Sequence, residues 1–409
     1  MKTESIQAIL LGAFGVLLVS TLWNFFSYID PFFWIIFDGE WQLVDTLEYL
    51  TASLLMLYFV IRVKGLDAVP RSVLAGWLIY CAVLAFTNQW AVFPKISWKT
   101  WALDAVMPGA FMWFSAAMVR AGGLDKKSVY LLFACFGGAV FYLAMRHTDN
   151  LAEVLDPVMF STLAAILMPA CLMGMLGKAT GDNVPLWIFL FFCSLILALQ
   201  IRIIWLVIPL QIAVMLWFCH QQQIKPARRL LWWGVLIGSL LLYKYASIYK
   251  PANWTNYAAI DHTGSWWQVF FKTERYRIWS FWLEQGAKSP WVGVGMGWDV
   301  PARMYGRFKP DDLLPIFVSH GHNVFMNRYL QSGILGVIAF AGWLVLVAKQ
   351  VVEHTKSQLL LTKSVALFQV LMLLMLLFRN LPDDGMRGFN MVLYWALLGV
   401  SYGWPVSDR

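Results

Sequence analysis

Residues 184–219 read VPLWIFLFFCSLILALQIRIIWLVIPLQIAVMLWFC and contain a single charged side chain, that of Arg202. As one α-helix this stretch would be about 50 Å long at 1.5 Å per residue, which exceeds the ~30 Å hydrocarbon layer of a bilayer. Two helices joined by a tight turn near Gln200-Ile201-Arg202 fit that layer better. The stretch therefore predicts two transmembrane helices, residues 184–200 and 202–219.

The composition of the whole chain leads to the same class of protein. Of the 409 residues, 60% are hydrophobic and 13% are charged, and the mean hydropathy is +0.63. Soluble domains carry about 25% charged residues, because their surface must be solvated. These values exclude a disordered chain, a disulfide scaffold and a soluble nucleotide-binding enzyme.

Apolar blocks of transmembrane length recur along the chain and predict an all-α polytopic membrane protein of about twelve transmembrane helices. The predicted helices are residues 6–28, 42–61, 72–93, 101–119, 129–145, 158–177, 184–200, 202–219, 230–249, 320–348, 364–379 and 391–405.

The basic residues predict the orientation of these helices. With the amino terminus inside, the cytoplasmic segments hold fifteen Lys and Arg residues and the short outer segments hold six. The positive-inside rule then places both termini in the cytoplasm. The chain divides into helices 1–9 (residues 1–249), a large outer loop (250–319) and helices 10–12 (320–409).

The outer loop is rich in tryptophan, and two interpretations of these side chains are open. They can form an interfacial belt that holds the loop on the membrane surface, or they can stack against sugar rings. The tryptophans concerned are Trp254, Trp266, Trp267, Trp279, Trp282, Trp291 and Trp298.

Basic side chains interrupt the apolar pattern at places that this topology puts on the outer side. They are Arg202, Arg275 with Arg277, the pair His320 and His322, and Arg379. A charge at membrane depth needs a partner or a purpose. Arginine suits a buried phosphate because its planar fork donates two hydrogen bonds and keeps its charge. We expect an anion site, although an ion pair or snorkelling explains any single arginine equally well.

His322 is a candidate general base, because the unperturbed pKa of histidine is about 6.5. A structural, hydrogen-bonding histidine is the alternative. His320 and His322 are two residues apart and would not share a helix face, which argues against a metal pair on a helix. Gly333 and Gly336 would lie on the face of His322 in one continuous helix, where small residues let a second helix approach. No metal site is predicted from the acidic pairs Asp311-Asp312 and Asp383-Asp384.

The spacing of His322-Asn323, nine residues, Gly333, two residues and Gly336 resembles the His-Asn/Ser/Gln-x9-Gly-x-x-Gly motif of bacterial O-antigen ligases. Arg275-Tyr-Arg-Ile-Trp279, followed by the segment Ser289–Gly297, is similar to the Arg-x-x-x-Trp … Pro-x-x-Gly-x-Gly segment of the same family. Arg202 matches the mid-chain arginine of that family.

The resemblance implies a GT-C-like membrane glycosyltransferase with one large periplasmic loop. It would transfer O-antigen polysaccharide from undecaprenyl diphosphate to a sugar hydroxyl of lipid A-core, at the periplasmic face of the inner membrane, with inversion and with neither metal nor cofactor. His322 would be the base, and Arg202, Arg275 and Arg277 would bind the donor diphosphate. The supporting residues would be His320, Asn323, Gly333, Gly336 and Arg379.

Two other functions remain open on the sequence alone. A related O-antigen or polysaccharide polymerase would use two lipid-linked glycans as its substrates. A transporter or flippase for an anionic lipid would move its substrate without breaking a bond.

Overall fold

The computed structural model describes residues 42–121, 165–169, 202–222, 274–310, 320–380 and 389–403, together with Thr162, Leu172, Cys193, Asp384 and Met386. These residues are helical apart from short connections, and no strand occurs among them. The predicted all-α class is therefore confirmed for this part of the chain. The predicted helices 6–28, 129–145, 184–200 and 230–249 lie outside the described residues, apart from Cys193.

We number the helices of the described residues in chain order. They are α1 (Gln42–Arg62), α2 (Arg71–Thr87), α3 (Pro94–Trp101), α4 (Met107–Arg120), α5 (Arg202–Gln221), α6 (Glu274–Gly286), α7 (Val300–Tyr305), α8 (Val324–Thr355), α9 (Leu360–Asn380) and α10 (Phe389–Gly403).

Several of these bounds differ from the predicted ones. The third predicted helix, 72–93, ends at Thr87 and continues as a 3₁₀ turn over Asn88–Trp90. The fourth, 101–119, begins earlier, because Pro94 starts α3 and a π-helical turn over Ala102–Val106 joins α3 to α4. The tenth, 320–348, begins only at Val324 and runs on to Thr355.

Four helical segments of the described residues are long and apolar enough to cross a membrane. They are Arg71–Trp90, Pro94–Arg120, Val324–Thr355 and Thr362–Asn380. Two shorter apolar segments, Ser53–Arg62 and Leu206–Gln221, accompany them. The chain is therefore a helical membrane protein, and its count of about twelve spans stays a prediction.

Helices α4 and α10 run parallel and touch through two glycines. A Cβ atom on Gly399 would collide with the backbone oxygen of Met112, and one on Gly403 would collide with that of Ala116. Without side chains at these positions the two backbones approach closely, as small residues four apart permit in membrane helices.

Helices α2 and α8 run antiparallel against each other. Leu84 lies next to Gly336, and the ring of Tyr80 stacks on that of Trp343, with 5.4 Å between the centroids. Trp343 in turn stacks on Trp395 of α10 at 3.7 Å. These buried rings join the three helices into one apolar core.

The helix directions sort the connections into two ends of the bundle. We call the end where α2 and α9 terminate and α8 begins the upper end, and the opposite one the lower end. Trp113 donates a hydrogen bond to the Gly65 carbonyl at the lower end, where Arg120 also pairs with Asp67. Every described basic residue that the sequence predicts to be cytoplasmic lies there, namely Arg62, Lys64, Arg71, Arg120, Lys349, Lys356 and Lys363.

Candidate functional site

Helices α6 and α7 form a small unit with its own apolar core at the upper end. Trp282 is fully buried, and the unit reaches α8 through Leu330. The members of this core are Ile278, Phe281, Trp282, Val294, Val300, Tyr305 and Leu330. The unit is therefore anchored on the helix that follows the two histidines.

Two tryptophans of α6 hold the loop that carries these histidines. The indole nitrogen of Trp282 donates to the His320 carbonyl at 2.9 Å, and that of Trp279 donates to the Gly321 carbonyl at 3.1 Å. Trp279 is the tryptophan of the Arg-x-x-x-Trp motif, so this motif and the histidine motif form one structural unit. Because Trp282 is fully buried, it neither belongs to a membrane-interface belt nor stacks against a sugar.

His320 and His322 lie before α8, not within it. The φ angle of His322 is 49°, in the left-handed region that few non-glycine residues adopt. The two imidazole rings are 4.0 Å apart between centroids and tilted by 37°. Because both histidines precede α8, the helix-face argument that was made from a helix starting at residue 320 does not apply to them.

The two rings differ in their surroundings. His320 is only 9% exposed and lies between His322 and Trp298, whose ring centroid is 6.1 Å away. His322 is half-buried. Of the two rings, that of His322 is the more accessible to a substrate.

Asn323 caps α8 directly after His322. Its side-chain oxygen accepts hydrogen bonds from the amides of Phe325 at 2.8 Å and Met326 at 3.1 Å, which the helix itself leaves without partners. Asn, Ser and Gln all carry a side-chain oxygen, and Asn and Ser are common cap residues. The residue after the histidine therefore fixes where the helix starts.

A chain of hydrogen bonds runs from the histidine loop to the segment after α9. The amide of Gly321 donates to the side-chain oxygen of Asn327 at 2.6 Å. The side-chain nitrogen of Asn327 donates to Asp384 at 2.5 Å, and the other oxygen of Asp384 accepts from the Met386 amide at 3.1 Å. Asp384 thus helps to position the loop between the two histidines.

Helix α8 is broken at Gly333, where φ is 65° and ψ is −167°. The segment Pro290–Gly295 pairs with the backbone groups on both sides of the break. The amides of Val294 and Gly295 donate to the carbonyls of Leu330 and Gln331. The amides of Ile334 and Leu335 donate to those of Pro290 and Trp291. The break thus leaves these four groups of α8 satisfied.

The structure explains why the two glycine motifs occur together. A Cβ atom on Gly333 would collide with the backbone of Trp291, and one on Gly293 would collide with the backbone of Gln331. Gly336 alone has the predicted role, since it lies against Leu84 of a second helix. The idea that both glycines share a continuous face with His322 was wrong, because the helix starts after His322 and is broken at Gly333.

Arg328 is a buried cation that the sequence reasoning missed. It is 4% exposed, its guanidinium donates to Gln331 at 3.2 Å, and it lies 5.8 Å from the Phe340 ring centroid. Asp104, in the π-helical turn, and Asp384 interact with it electrostatically. The sequence does mark Arg328, because it is a charged residue inside an apolar span, which is the feature that drew attention to Arg202.

The predicted arginines lie at the upper end as far as the structure describes them. Arg379 lies in the last turn of α9 and is fully buried, and Arg277 is half-buried on α6. For Arg202 and Arg275 the structure describes the backbone only. Gln211 of α5 donates to the Leu371 carbonyl, while Lys363 donates to Gln222. This antiparallel register puts Arg202, the first residue of α5, at the end of the bundle that holds Arg379.

These observations define a class: a helical membrane protein whose histidine loop and arginines lie at one end of its bundle. A family model described as O-antigen ligase matches residues 187–341. No curated protein matches the chain. The match covers the mid-chain arginine, α6, α7 and the histidine motif, and it makes this part of the chain similar to O-antigen ligases. The resemblance stated from the sequence is thereby confirmed.

Proposed function

We propose that the protein is an O-antigen ligase of the bacterial inner membrane. It transfers O-antigen polysaccharide from undecaprenyl diphosphate to a sugar hydroxyl of lipid A-core, at a site facing the periplasm, with both termini in the cytoplasm. The observation that carries the proposal is the His320-Gly321-His322 loop, which two tryptophans of α6 fix at the end of the bundle where Arg277 and Arg379 lie.

In the proposed reaction, His322 takes the proton of the acceptor hydroxyl as its oxygen attacks the anomeric carbon of the donor sugar. The bond from that carbon to the diphosphate oxygen breaks, and the configuration inverts. His322 suits this role better than His320, because His320 is enclosed by two aromatic rings whereas His322 is half-buried.

The diphosphate leaves with negative charge, which Arg202, Arg275 and Arg277 stabilise. These guanidinium groups take the role that a metal ion plays in other transferases, so we expect activity in the presence of EDTA. The energy comes from the donor's own diphosphate bond.

The decisive experiment supplies the purified protein with lipid-linked O-antigen and lipid A-core. Polysaccharide attached to the core would support the proposal. Longer lipid-linked glycan without attachment to the core would identify a polymerase and overturn it. Movement of the lipid-linked glycan across a vesicle membrane without bond cleavage would identify a flippase and also overturn it.

A further inference from the structure

A cleft of about 450 Å³ opens at the upper end, between the residues that follow α2 and the α6–α7 unit. Three aromatic residues, Trp90, Tyr305 and Phe308, form part of its walls, and Ser289 and Val292–Val294 form another part. Trp90 and Phe308 are about half exposed, at 54% and 49%. The cleft therefore offers flat apolar surfaces that are open to a ligand.

Two cations share one of these rings. The Lys288 ammonium lies 4.5 Å from the ring centroid of Phe308, and the guanidinium carbon of Arg307 lies 4.7 Å from it. An anion bound beside this ring would be attracted to both charges, and the attraction is only partly screened at physiological salt.

No carboxylate among the described residues that line the cleft neutralises these charges. Arg303 of the neighbouring helix differs, because its guanidinium pairs with Asp299 at 2.6 Å. Burial raises the pKa of the Tyr305 hydroxyl, so this side chain adds no negative charge near neutral pH. The described lining of the cleft is thus positively charged as well as aromatic.

The cleft is connected to the histidine loop through the backbone. Its wall residue Val294 donates to the Leu330 carbonyl at 3.0 Å, in the short helical segment of α8 that starts beside His322. A ligand in the cleft therefore contacts a segment that is hydrogen-bonded to the helix that begins just after the proposed base.

We propose that this cleft binds a negatively charged sugar of the glycan substrate. Lys288 and Arg307 hold its phosphate or carboxylate, and the sugar ring lies against the aromatic walls. Charge alone would suit any anion, but three aromatic side chains beside the cations match a ring that carries an acidic group. The inference rests on the proposed function only in one respect: it assigns this sugar to the glycan that is transferred or to the glycan that accepts it.

The test measures binding of small sugars to the full-length protein in detergent micelles by ligand-observed NMR titration. Glucose 6-phosphate is the probe, with glucose and inorganic phosphate as its neutral and ring-free counterparts. We expect glucose 6-phosphate to bind more tightly than either. The double variant Lys288→Ala, Arg307→Ala should weaken its binding about ten-fold or more, as expected for the loss of charged hydrogen bonds.

Arg303→Ala is the matched control, because it removes an exposed arginine of the same unit that does not line the cleft. His322→Ala should bind the probe as the wild type does, so failure of the proposed catalysis would leave this result intact. A Phe308→Leu variant should also weaken binding, since the ring is lost while an apolar side chain remains.

Three results would overturn the proposal. Equal affinity for glucose and glucose 6-phosphate would remove the role of charge. Equal affinity for inorganic phosphate and glucose 6-phosphate would remove the role of the rings. If nanodiscs containing phosphatidylglycerol displaced the probe and those containing phosphatidylcholine did not, the cleft would bind a lipid headgroup instead.

Discussion

At His322 the backbone adopts a left-handed conformation, which costs about 1–3 kcal/mol for a residue with a side chain. Three hydrogen bonds to the two preceding residues hold this conformation. Trp282 and Trp279 of α6 donate to the carbonyls of His320 and Gly321, and the Gly321 amide donates to Asn327 of α8. Contacts from two helices therefore determine the position of the imidazole. A general base needs such a fixed position, because proton transfer depends on hydrogen-bond geometry.

Replacing His322 by Ala should abolish transfer, since the proposed base is lost, while binding of the lipid-linked donor stays largely intact. Single-turnover transfer and donor binding would be measured on the same preparation. The control is His354→Ala at the far end of α8, where this histidine contacts Gln350 and Gln369. Full turnover by His322→Ala, or an equal loss in His354→Ala, would remove His322 as base.

Asn327→Leu should slow transfer about ten- to hundred-fold with little change in donor affinity. The substitution leaves the buried Gly321 amide without its acceptor, a cost of about 1–3 kcal/mol, and it separates Asp384 from the loop. A role in positioning the base predicts an altered pH profile of the maximal rate. A loss of stability with an unchanged pH profile would indicate a merely structural asparagine.

At the residue scale, the sequence allowed His322, Asn323 and the predicted arginines to be proposed as site residues because a motif or an isolated charge marks each of them. Asn327 and Asp384 carry no such mark. They are 57 residues apart in the chain, and only the packing of α9 against α8 brings them together. The contact between the rings of His320 and His322 could not be predicted from the sequence either, since it depends on the positive φ angle of His322.

At the level of elements, the break in α8 lets the segment Pro290–Gly295 pair with the helix that follows the histidine loop. Nine residues, 324–332, form a short helical segment, and the rest of α8 continues after Gly333 along α2. The hydropathy of residues 320–348 predicts one helix, and the pattern does not show that the helix is broken at Gly333. The segment Pro290–Gly295, about forty residues earlier in the sequence, forms the hydrogen bonds that the backbone groups at the break would otherwise lack.

Gly333→Ala should lower the stability of the protein by at least about 3 kcal/mol and reduce transfer. The alanine would have to adopt a left-handed φ, and its Cβ would meet the backbone of Trp291, which cannot move aside as a side chain does. Thermal unfolding in detergent would measure the change.

Gly342→Ala on the same helix is the matched control, because nothing lies within 4 Å of its added Cβ. It should be neutral or slightly stabilising, as expected for alanine in place of glycine in a helix. Similar unfolding temperatures for the two variants would contradict the role of the break.

At the scale of the whole molecule, the sequence predicts the helices well because hydropathy is a local property. The structure confirms α1, α5, α9 and α10 to within a few residues of the predicted bounds. The sequence did not predict which helices pack against one another. The parallel contact of α4 with α10 depends on two glycines of α10, Gly399 and Gly403, that meet the backbone of α4 far away in the chain.

The bundle has a basic lower end and an upper end that carries the histidine loop, and the positive-inside rule assigns the lower one to the cytoplasm. A cysteine in place of the exposed Ala287 should then react with a membrane-impermeant maleimide in spheroplasts. One in place of the exposed Thr355, at the lower end, should react only after lysis. The natural Cys81, Cys193 and Cys219 are buried. Labelling of the unsubstituted protein measures the background from all five natural cysteines. Labelling of Thr355→Cys before lysis, with Ala287→Cys protected, would invert the orientation and place the histidine loop away from any periplasmic acceptor.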